Sequence, residues 1–389
     1  MATVQGHCDA AFTRVRDIIQ QNIATSEELG LSLCVNISGK NVLDLWAGHA
    51  DLARSKPWTE NTIACPWSMT KCVTNLAALI LIDRGLLEPS APVCQYWPEF
   101  AANGKENVKV WHVLTHSAAL PAWEKPVTME DVYDTETATE RLAGQALWWE
   151  PGTASGYHPV TQGHLVSELI RRATGMRARE FIQKEISGPL GADFQLGVPE
   201  SEWYRVAELI SPPSFVPPPG FDATSLPART FSSPTLKAEF AATAEFRKTE
   251  LPALNGFGNA RSYARILSAI SLGGTVDGTK LLSPETAQLA TRELISGKDL
   301  CLRKRLRFAL GFGLPADPAK GWIREGSCYW GGWGGSMAIM DFSKRITICY
   351  VQNRMATPGT TGDSRIEAYV NAIYDALKSV GSERVTACL

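Results

Sequence analysis

Residues 67–71 are Trp67-Ser68-Met69-Thr70-Lys71, and they lead into an apolar run that stops at Gly85. Between Cys72 and Arg84 the apolar residues recur at helical spacing, which predicts a largely buried helix with a glycine terminator. Ser68 would then lie at the helix N-terminus, where a backbone N–H lacks an intrahelical partner and the helix dipole favours an oxyanion. This arrangement suits acyl transfer by a nucleophilic serine.

Lys71 follows Ser68 by three residues, so the two side chains are expected to meet one helical turn apart. A serine hydroxyl needs activation before it can act as a nucleophile. Two interpretations of Lys71 stay open: an uncharged lysine, or a cation that lowers the pKa of the serine or of a tyrosine. The S-x-x-K pattern alone is a weak signal, because serine and lysine are common residues.

Composition indicates an ordinary globular chain. The 389 residues carry a formal net charge of −2, with 44% hydrophobic and 20% charged residues, which suggests about two domains. No lysine and arginine cluster marks a nucleic-acid or membrane surface, so small molecules are the expected partners. The nine cysteines lack C-x-x-C spacing and are interpreted as reduced, buried residues. The N-terminus shows no basic segment followed by an apolar one, so we expect a cytoplasmic protein.

Both ends of the chain predict parts of one sheet. An apolar stripe over residues 12–23 predicts a helix, and alternation over residues 31–46 predicts a hairpin. A second hairpin is predicted over residues 337–351, followed by a closing helix over residues 366–377. The two ends therefore have the same kinds of element in mirrored order.

The middle of the chain has a different pattern. From Val93 to about Phe240 it shows helical patterning and proline-rich loops, such as Pro217-Pro218-Pro219, with little strand alternation. The simplest architecture places residues 1–90 and 245–389 in one discontinuous α/β domain and residues 91–244 in a mainly helical inserted domain. The cleft between them is then the expected site.

Two further segments are candidates for chemistry. The loop Gly152-Thr153-Ala154-Ser155-Gly156-Tyr157-His158-Pro159 would present Tyr157. Tyrosine acts as a general base when nearby cations depress its pKa, although a tyrosine more often serves as an amphipathic surface residue. In Trp330-Gly331-Gly332-Trp333-Gly334-Gly335-Ser336 the glycines allow a ligand to approach backbone N–H groups, and the alternative is an ordinary strand-entry turn.

Taken in order, Ser68-Met69-Thr70-Lys71, Tyr157-His158-Pro159 and Trp330-Gly331-Gly332 resemble the serine hydrolases of the class C β-lactamase family. The resemblance covers nearly the whole chain. Five other segments look most like the β-lactamase-type carboxylesterases and the lovastatin-type acyltransferases: Leu43–Gly48, Pro92–Phe100, Val113–Ser117, Trp149–Thr153 and Pro189–Ala192. The resemblance implies an α+β fold of the serine β-lactamase/transpeptidase type, with an antiparallel sheet flanked by helices and an inserted helical domain.

The resemblance also implies roles for single residues. Ser68 would be the acylated nucleophile, Lys71 its helper, and Tyr157 the base that takes and returns the proton. The backbone N–H groups of Ser68 and Trp333 would form the oxyanion hole. Residues expected to contact substrate are Trp330, Gly331, Gly332, Trp333, His158, Trp123, Trp148 and Trp149.

Two departures from the family pattern narrow the substrate. Pro159 stands where β-lactamases carry an asparagine that hydrogen-bonds the substrate amide, and proline offers no such donor. Trp330 stands where β-lactamases use a lysine to attract the carboxylate of the drug, and an indole is neutral. We therefore expect hydrolysis of small apolar esters or thioesters, with β-lactam hydrolysis weak or absent.

Other activities stay open at this point. The first alternative is an acyltransferase that passes the acyl group to a small-molecule acceptor, with a carrier protein as a possible donor. A β-lactamase and a noncatalytic binding module are the remaining alternatives. No metal-ligand spacing, P-loop or complete G-x-G-x-x-G occurs, so no metal or cofactor is expected, and the sequence does not indicate the oligomeric state.

Overall fold

The computed structural model describes residues 3–212, 222–317, 321–356 and 362–386. Pro217-Pro218-Pro219, part of the proline-rich loop noted above, lies outside these ranges. None of the described helices is both long enough and apolar enough to span a membrane.

The strands of the described residues have the following bounds: β1 (Gln5–Cys8), β2 (Gly30–Ile37), β3 (Lys40–Gly48), β4 (Phe194–Leu196), β5 (Gly256–Gly258), β6 (Thr275–Val276), β7 (Thr279–Lys280), β8 (Ile295–Lys298), β9 (Arg305–Phe308), β10 (Gly313–Leu314), β11 (Ser327–Gly331), β12 (Met337–Asp341) and β13 (Ile346–Gln352). Nine of these described strands form one antiparallel sheet in the order β1-β3-β2-β13-β12-β11-β10-β9-β8.

The helices are α1 (Thr13–Thr25), α2 (Thr70–Asp83), α3 (Val110–Leu114), α4 (Met129–Tyr133), α5 (Thr135–Gly144), α6 (Thr161–Thr174), α7 (Ala178–Ile182), α8 (Gly188–Leu190), α9 (Leu226–Ser232), α10 (Ala244–Lys248), α11 (Ala260–Ser271), α12 (Pro284–Gln288) and α13 (Ser364–Thr386).

The two predicted hairpins are confirmed, and they meet at the centre of the sheet. Strand β13 from the C-terminal hairpin pairs with β2 from the N-terminal one, with Tyr350 opposite Leu33 and Cys349 opposite Cys34. Because side chains alternate along a strand, each hairpin presents one apolar set to each face of the sheet. The ends of the chain therefore build one continuous sheet.

Helices cover both faces of this sheet. On one face, α1 and α13 bury an apolar layer that includes Val15, Leu33, Ile348 and Ile373. On the other face, α2 and α11 pack against the central strands. The expected α+β architecture, an antiparallel sheet flanked by helices, is confirmed.

Helix α2 has the predicted character. Every side chain from Thr70 to Leu81 is buried, and the helix ends just before Gly85, whose φ of 69° is in the left-handed region that glycine favours. Packing rather than helix propensity thus fixes its position under the sheet. This rigid helix carries the nucleophile candidate at its N-terminal end.

Between Val93 and Phe240 the described residues are mainly helical, from α3 to α9, and β4 is the strand found there, paired with β5. This agrees with the helical patterning of the sequence. The division into domains at residues 90/91 and 244/245 stays a prediction.

Candidate active site

Ser68 lies in a 3-10 turn, Trp67–Met69, that leads directly into α2. The residue is buried, with only 5% of its surface exposed. Trp67, just before it, has a φ of 48°, an unusual conformation for a bulky residue that turns the chain sharply into the helix. As expected, Ser68 is at the N-terminal end of the helix, where free N–H groups and the helix dipole favour negative charge.

The Lys71 amine reaches three oxygen atoms. Its Nζ lies 3.0 Å from Ser68 Oγ, 2.8 Å from the Pro159 carbonyl oxygen and 3.0 Å from the Ala253 carbonyl oxygen. No carboxylate in the described part of the chain forms an ion pair with it. Burial therefore lowers the pKa of Lys71 well below its usual value.

A neutral amine fits these three contacts atom by atom. It has two N–H groups, which can donate to the carbonyl oxygens of Pro159 and Ala253, and one lone pair, which can accept from the Ser68 hydroxyl. Of the two interpretations of Lys71 that the sequence left open, burial favours the uncharged lysine. In this form Lys71 is ready to take the proton of Ser68.

The Tyr157 hydroxyl donates to Ser68 Oγ across 2.7 Å. We expected a nearby cation to lower the pKa of this tyrosine, and the structure shows the opposite direction. Burial raises the pKa of Tyr157 above its ordinary value, and burial lowers the pKa of the neighbouring Lys71 amine, which disfavours the charged form of that amine. Tyr157 is thus held as a protonated phenol that donates to the serine oxygen.

A buried carboxyl group that the sequence analysis missed holds the Tyr157 segment in place. Asp299 accepts hydrogen bonds from the backbone N–H of Tyr157 at 3.1 Å and from the Ser155 hydroxyl at 2.9 Å. It also accepts from the backbone N–H groups of Cys301 and Leu302, at 3.0 and 2.8 Å. No local pattern links Asp299 to this segment, because Tyr157 and Ser155 lie 142 and 144 residues away from it in the sequence.

His158 is tied to the backbone on both sides of its ring. Its Nδ1 contacts the Gly156 carbonyl oxygen at 2.5 Å, and its Nε2 accepts from the Leu120 N–H at 3.1 Å. Burial lowers the pKa of His158 to about 3, so the ring is neutral. Its own backbone N–H donates to Nδ1 of His116 at 3.1 Å. Because both ring nitrogens are engaged, we expect His158 to shape the loop rather than to contact substrate.

The tryptophans predicted to line the pocket have different surroundings. The ring of Trp330 is 5.3 Å from that of Tyr157, and the ring of Trp333 is 5.2 Å from that of Trp67, so both stand beside the nucleophile. Trp123 instead donates to the Ala138 carbonyl of α5 within the helical core. We therefore expect Trp123 to stabilise the helices and not to line a pocket.

The other two predicted tryptophans support neighbouring loops. The guanidinium carbon of Arg229 lies over the ring of Trp148, 4.1 Å from the ring centroid. Trp149 donates to the Ala154 carbonyl at 3.1 Å and leaves no room for a side chain at Gly156. Direct contact of either residue with substrate stays a prediction.

The glycine-rich segment closes the site on the other side of Ser68. We call Gly332–Ser336 the oxyanion loop. A Cβ atom on Gly332 would be 1.8 Å from the Pro66 carbonyl oxygen, so glycine is needed for the loop to approach the turn that carries Ser68. Within the described ranges, no acceptor takes the backbone N–H of Trp333. The role of this N–H in an oxyanion hole, which the family resemblance implies, stays a prediction.

No cluster of three or more potential metal ligands occurs among the residues that the structure describes. The chemistry of the site is that of a serine, an amine, a phenol and backbone N–H groups. Such a set suits acyl transfer through a covalent intermediate.

Comparison with known proteins gives a consistent result. The family model described as Beta-lactamase matches residues 15–371. Esterase/beta-lactamase LipL of Mycobacterium tuberculosis is 34% identical over 349 residues, which cover 85% of this chain and 78% of LipL.

Solved structures show the same fold. The crystal structure of a family VIII carboxylesterase has a TM-score of 0.89 and 36% identity, covering 96% of this chain and 99% of that one. Simvastatin synthase (LovD) of Aspergillus terreus has a TM-score of 0.69 over 94% of this chain and 98% of its own, but at 17% identity this likeness concerns the fold alone.

Proposed function

Because the chain belongs to the beta-lactamase family, we propose that it is a serine hydrolase that cleaves esters or thioesters of small apolar acyl groups through an acyl-enzyme on Ser68. One observation carries the proposal: Ser68 Oγ lies within hydrogen-bond distance of both Lys71 Nζ and Tyr157 Oη. The resemblance to a family VIII carboxylesterase supports the ester as substrate class.

In the first step, Ser68 Oγ attacks the carbonyl carbon while Lys71 Nζ takes the serine proton. The uncharged amine, 3.0 Å away, is the nearest group able to accept it. Negative charge develops on the carbonyl oxygen, where the backbone N–H groups of Ser68 and Trp333 would stabilise it. Lys71 becomes an ammonium ion, and it continues to donate hydrogen bonds to the carbonyl oxygens of Pro159 and Ala253.

When the tetrahedral intermediate collapses, the leaving alkoxide or thiolate takes a proton from Tyr157, which can recover it from Lys71. In the second step, Lys71 takes a proton from water, the resulting hydroxide attacks the acyl carbon, and Ser68 leaves with a proton returned through Tyr157. A raised pKa makes Tyr157 a donor, and a lowered pKa makes Lys71 an acceptor. We therefore assign the two groups opposite roles in each step.

The surroundings of Pro159 and Trp330 disfavour a carboxylated β-lactam. Pro159 has no side-chain donor, and its carbonyl oxygen is taken by Lys71. Trp330 is 3% exposed and neutral, so it offers no cation to a substrate carboxylate. An apolar ester has neither an amide nor a carboxylate to be recognised, so Pro159 and Trp330 at these positions do not weaken its binding.

The test compares turnover of p-nitrophenyl butyrate and of the cephalosporin nitrocefin by the wild type and by Ser68→Ala. We expect ester turnover that disappears in the variant, and cephalosporin turnover that is far slower. Comparable catalytic efficiency on both substrates would contradict the substrate assignment. Ester turnover that persists in Ser68→Ala would contradict the nucleophile.

Acyl transfer to an alcohol is the second candidate, favoured by the small exposure of the nucleophile. Because Ser68 is only 5% exposed, few water molecules can contact the acyl-enzyme at once, and a bound acceptor alcohol can compete with them. Adding butanol during ester turnover tests this: butyl ester should form at the expense of butyrate if transfer occurs.

A further inference from the structure

The oxyanion loop is a tight turn made largely of glycine. The Gly332 N–H donates to the Ser336 carbonyl at 2.7 Å, and the Gly335 N–H donates to the Gly332 carbonyl at 3.1 Å. Gly334 has a φ of 95°, as the third residue of a type II turn requires. Trp333 thus occupies the second position of the turn. A segment with three glycines has little intrinsic rigidity, so the precise direction of the Trp333 N–H depends on what holds the turn.

Three donors converge on a single carbonyl oxygen in this turn. The Gly334 oxygen accepts from Gln352 Nε2 at 2.8 Å, from the Ala356 N–H at 2.9 Å and from Arg365 Nη2 at 3.2 Å. Gln352 is at the end of the central strand β13, and Arg365 is in the first turn of α13. The flexible turn is therefore fastened to two rigid elements.

Arg365 is itself held between two carboxylates. Its Nη1 contacts Glu28 Oε2 at 3.0 Å, its Nη2 contacts Asp363 Oδ2 at 2.7 Å, and its side chain is 7% exposed. Glu28 also accepts from the hydroxyl groups of Tyr350 and Tyr369. The planar guanidinium group makes all these contacts in one geometry, which a lysine cannot reproduce.

The second carboxylate also touches the loop. A Cβ atom on Gly335 would be 2.2 Å from Asp363 Oδ2, so the turn packs directly against the ion pair. A buried ion pair is weak evidence for stability, since desolvation offsets much of the attraction. Its contacts with the turn point instead to a role in fixing geometry.

We propose that Arg365 is a positioning residue for catalysis: held by Glu28 and Asp363, it fixes the oxyanion loop through the Gly334 carbonyl and so aims the Trp333 N–H. Gln352 shares this role through the same oxygen. The proposal rests on the proposed function, because it takes the Trp333 N–H as an oxyanion donor. Neither residue touches substrate, so each acts only through the turn.

The experiment compares Arg365→Lys with Arg205→Lys. Arg205 is a matched control, since it is also held between two carboxylates, those of Asp193 and Glu202, but contacts no residue of the oxyanion loop. The readouts are kcat and KM for p-nitrophenyl butyrate and the inhibition constant of butylboronic acid, which forms a tetrahedral adduct whose oxygen occupies the oxyanion position.

We expect Arg365→Lys to lower kcat and to weaken butylboronic acid inhibition by about 10- to 100-fold, since misplacing a catalytic group by about 1 Å can cost about 100-fold. KM should change little, because the ground-state carbonyl uses the donor weakly. Arg205→Lys should change neither kcat nor the inhibition constant. If Arg365→Lys does not fold, Gln352→Met decides. Gln352→Met removes one of the three donors to the Gly334 carbonyl. It also removes a buried Oε1 that lacks a partner among the described residues, so the variant should fold. We expect it to show the same loss of kcat and of butylboronic acid inhibition, with little change in KM.

The inference is overturned if butylboronic acid binds the folded Arg365 or Gln352 variant as tightly as it binds the wild type. It is also overturned if Arg205→Lys weakens the inhibition equally. Failure of the proposed function looks different: the wild type itself would show no butylboronic acid inhibition that depends on Ser68, as judged with Ser68→Ala.

Discussion

Replacing Gly332 by alanine tests the geometry of the oxyanion loop. The added Cβ atom would lie 1.8 Å from the Pro66 carbonyl oxygen and 2.8 Å from its carbon. Carbon and oxygen atoms normally approach to about 3.3 Å, so the two segments must separate by roughly 1.5 Å. Both neighbours are backbone atoms, which cannot move aside by a rotamer change. The Trp333 N–H must then shift away from the Ser68 turn.

A displacement of this size should act mainly on the transition state. Losing one oxyanion donor costs about 100- to 1,000-fold in kcat, and we expect a loss in this range for Gly332→Ala. KM should stay close to that of the wild type, since the neutral ground state binds the donor weakly. Overpacking should also lower the free energy of unfolding by about 1–3 kcal/mol.

The assay is steady-state turnover of p-nitrophenyl butyrate, with thermal unfolding measured on the same samples. Gly144→Ala is the matched control, because a Cβ atom at Gly144 meets nothing within 4 Å and its φ is not in the left-handed region. The control should keep the kcat of the wild type. A Gly332→Ala enzyme with unchanged kcat would refute the placement of the oxyanion donor.

Three further predictions follow from the buried groups of the site. Burial lowers the pKa of Lys71, and its protonated form cannot accept the serine proton, so kcat/KM should reach its plateau below the ordinary lysine pKa of about 10.4 and fall as the pH drops through the lowered pKa; a pH profile that rises until about pH 10.4 would contradict this. Tyr157→Phe should lower kcat/KM for ethyl butyrate by about 100- to 10,000-fold, because the ethoxide leaving group needs the proton of Tyr157. The loss should be smaller for p-nitrophenyl butyrate, whose leaving group needs no proton. An equal loss with both esters would exclude Tyr157 as the proton donor. Burial lowers the pKa of His158 to about 3 and that of His112 to about 4, and it also lowers the pKa of His116 and His164, so the stability that these neutral rings contribute is present above the unfolded pKa of about 6.5 and is lost as the pH falls below it. The free energy of unfolding in urea should therefore decrease between pH 7 and pH 5, and an unchanged value would contradict the lowered pKa of these rings.

The parts of the fold that depend on local pattern could be predicted from sequence. The alternation in residues 31–46 and 337–351 gave both hairpins, and the apolar run after Lys71 gave the helix that carries Ser68. The spacing of Ser68 and Lys71 on one helical turn likewise predicted their contact. Each of these features is fixed by residues that are close in the chain.

Features that depend on distant residues could not be predicted in this way. The pKa of Lys71 is lowered by burial, and the segments that bury it include Pro159 and Ala253, which are 88 and 182 residues away and whose carbonyl oxygens bring no full negative charge. The contacts of Asp299 with the Tyr157 N–H and of Arg365 with the Gly334 carbonyl also join distant parts of the chain. A tryptophan such as Trp123 gives no sign in the sequence of whether it faces a pocket or a helical core.

Intact-protein mass spectrometry after mixing with p-nitrophenyl butyrate, and separately with a fluorophosphonate, tests the acyl-enzyme most directly. We expect one butyryl group or one phosphonyl group per chain, located on the peptide that contains Ser68, and no adduct in Ser68→Ala. An unmodified wild type that still turns over the ester, or an adduct that persists in Ser68→Ala, would contradict the assignment of Ser68 as the nucleophile.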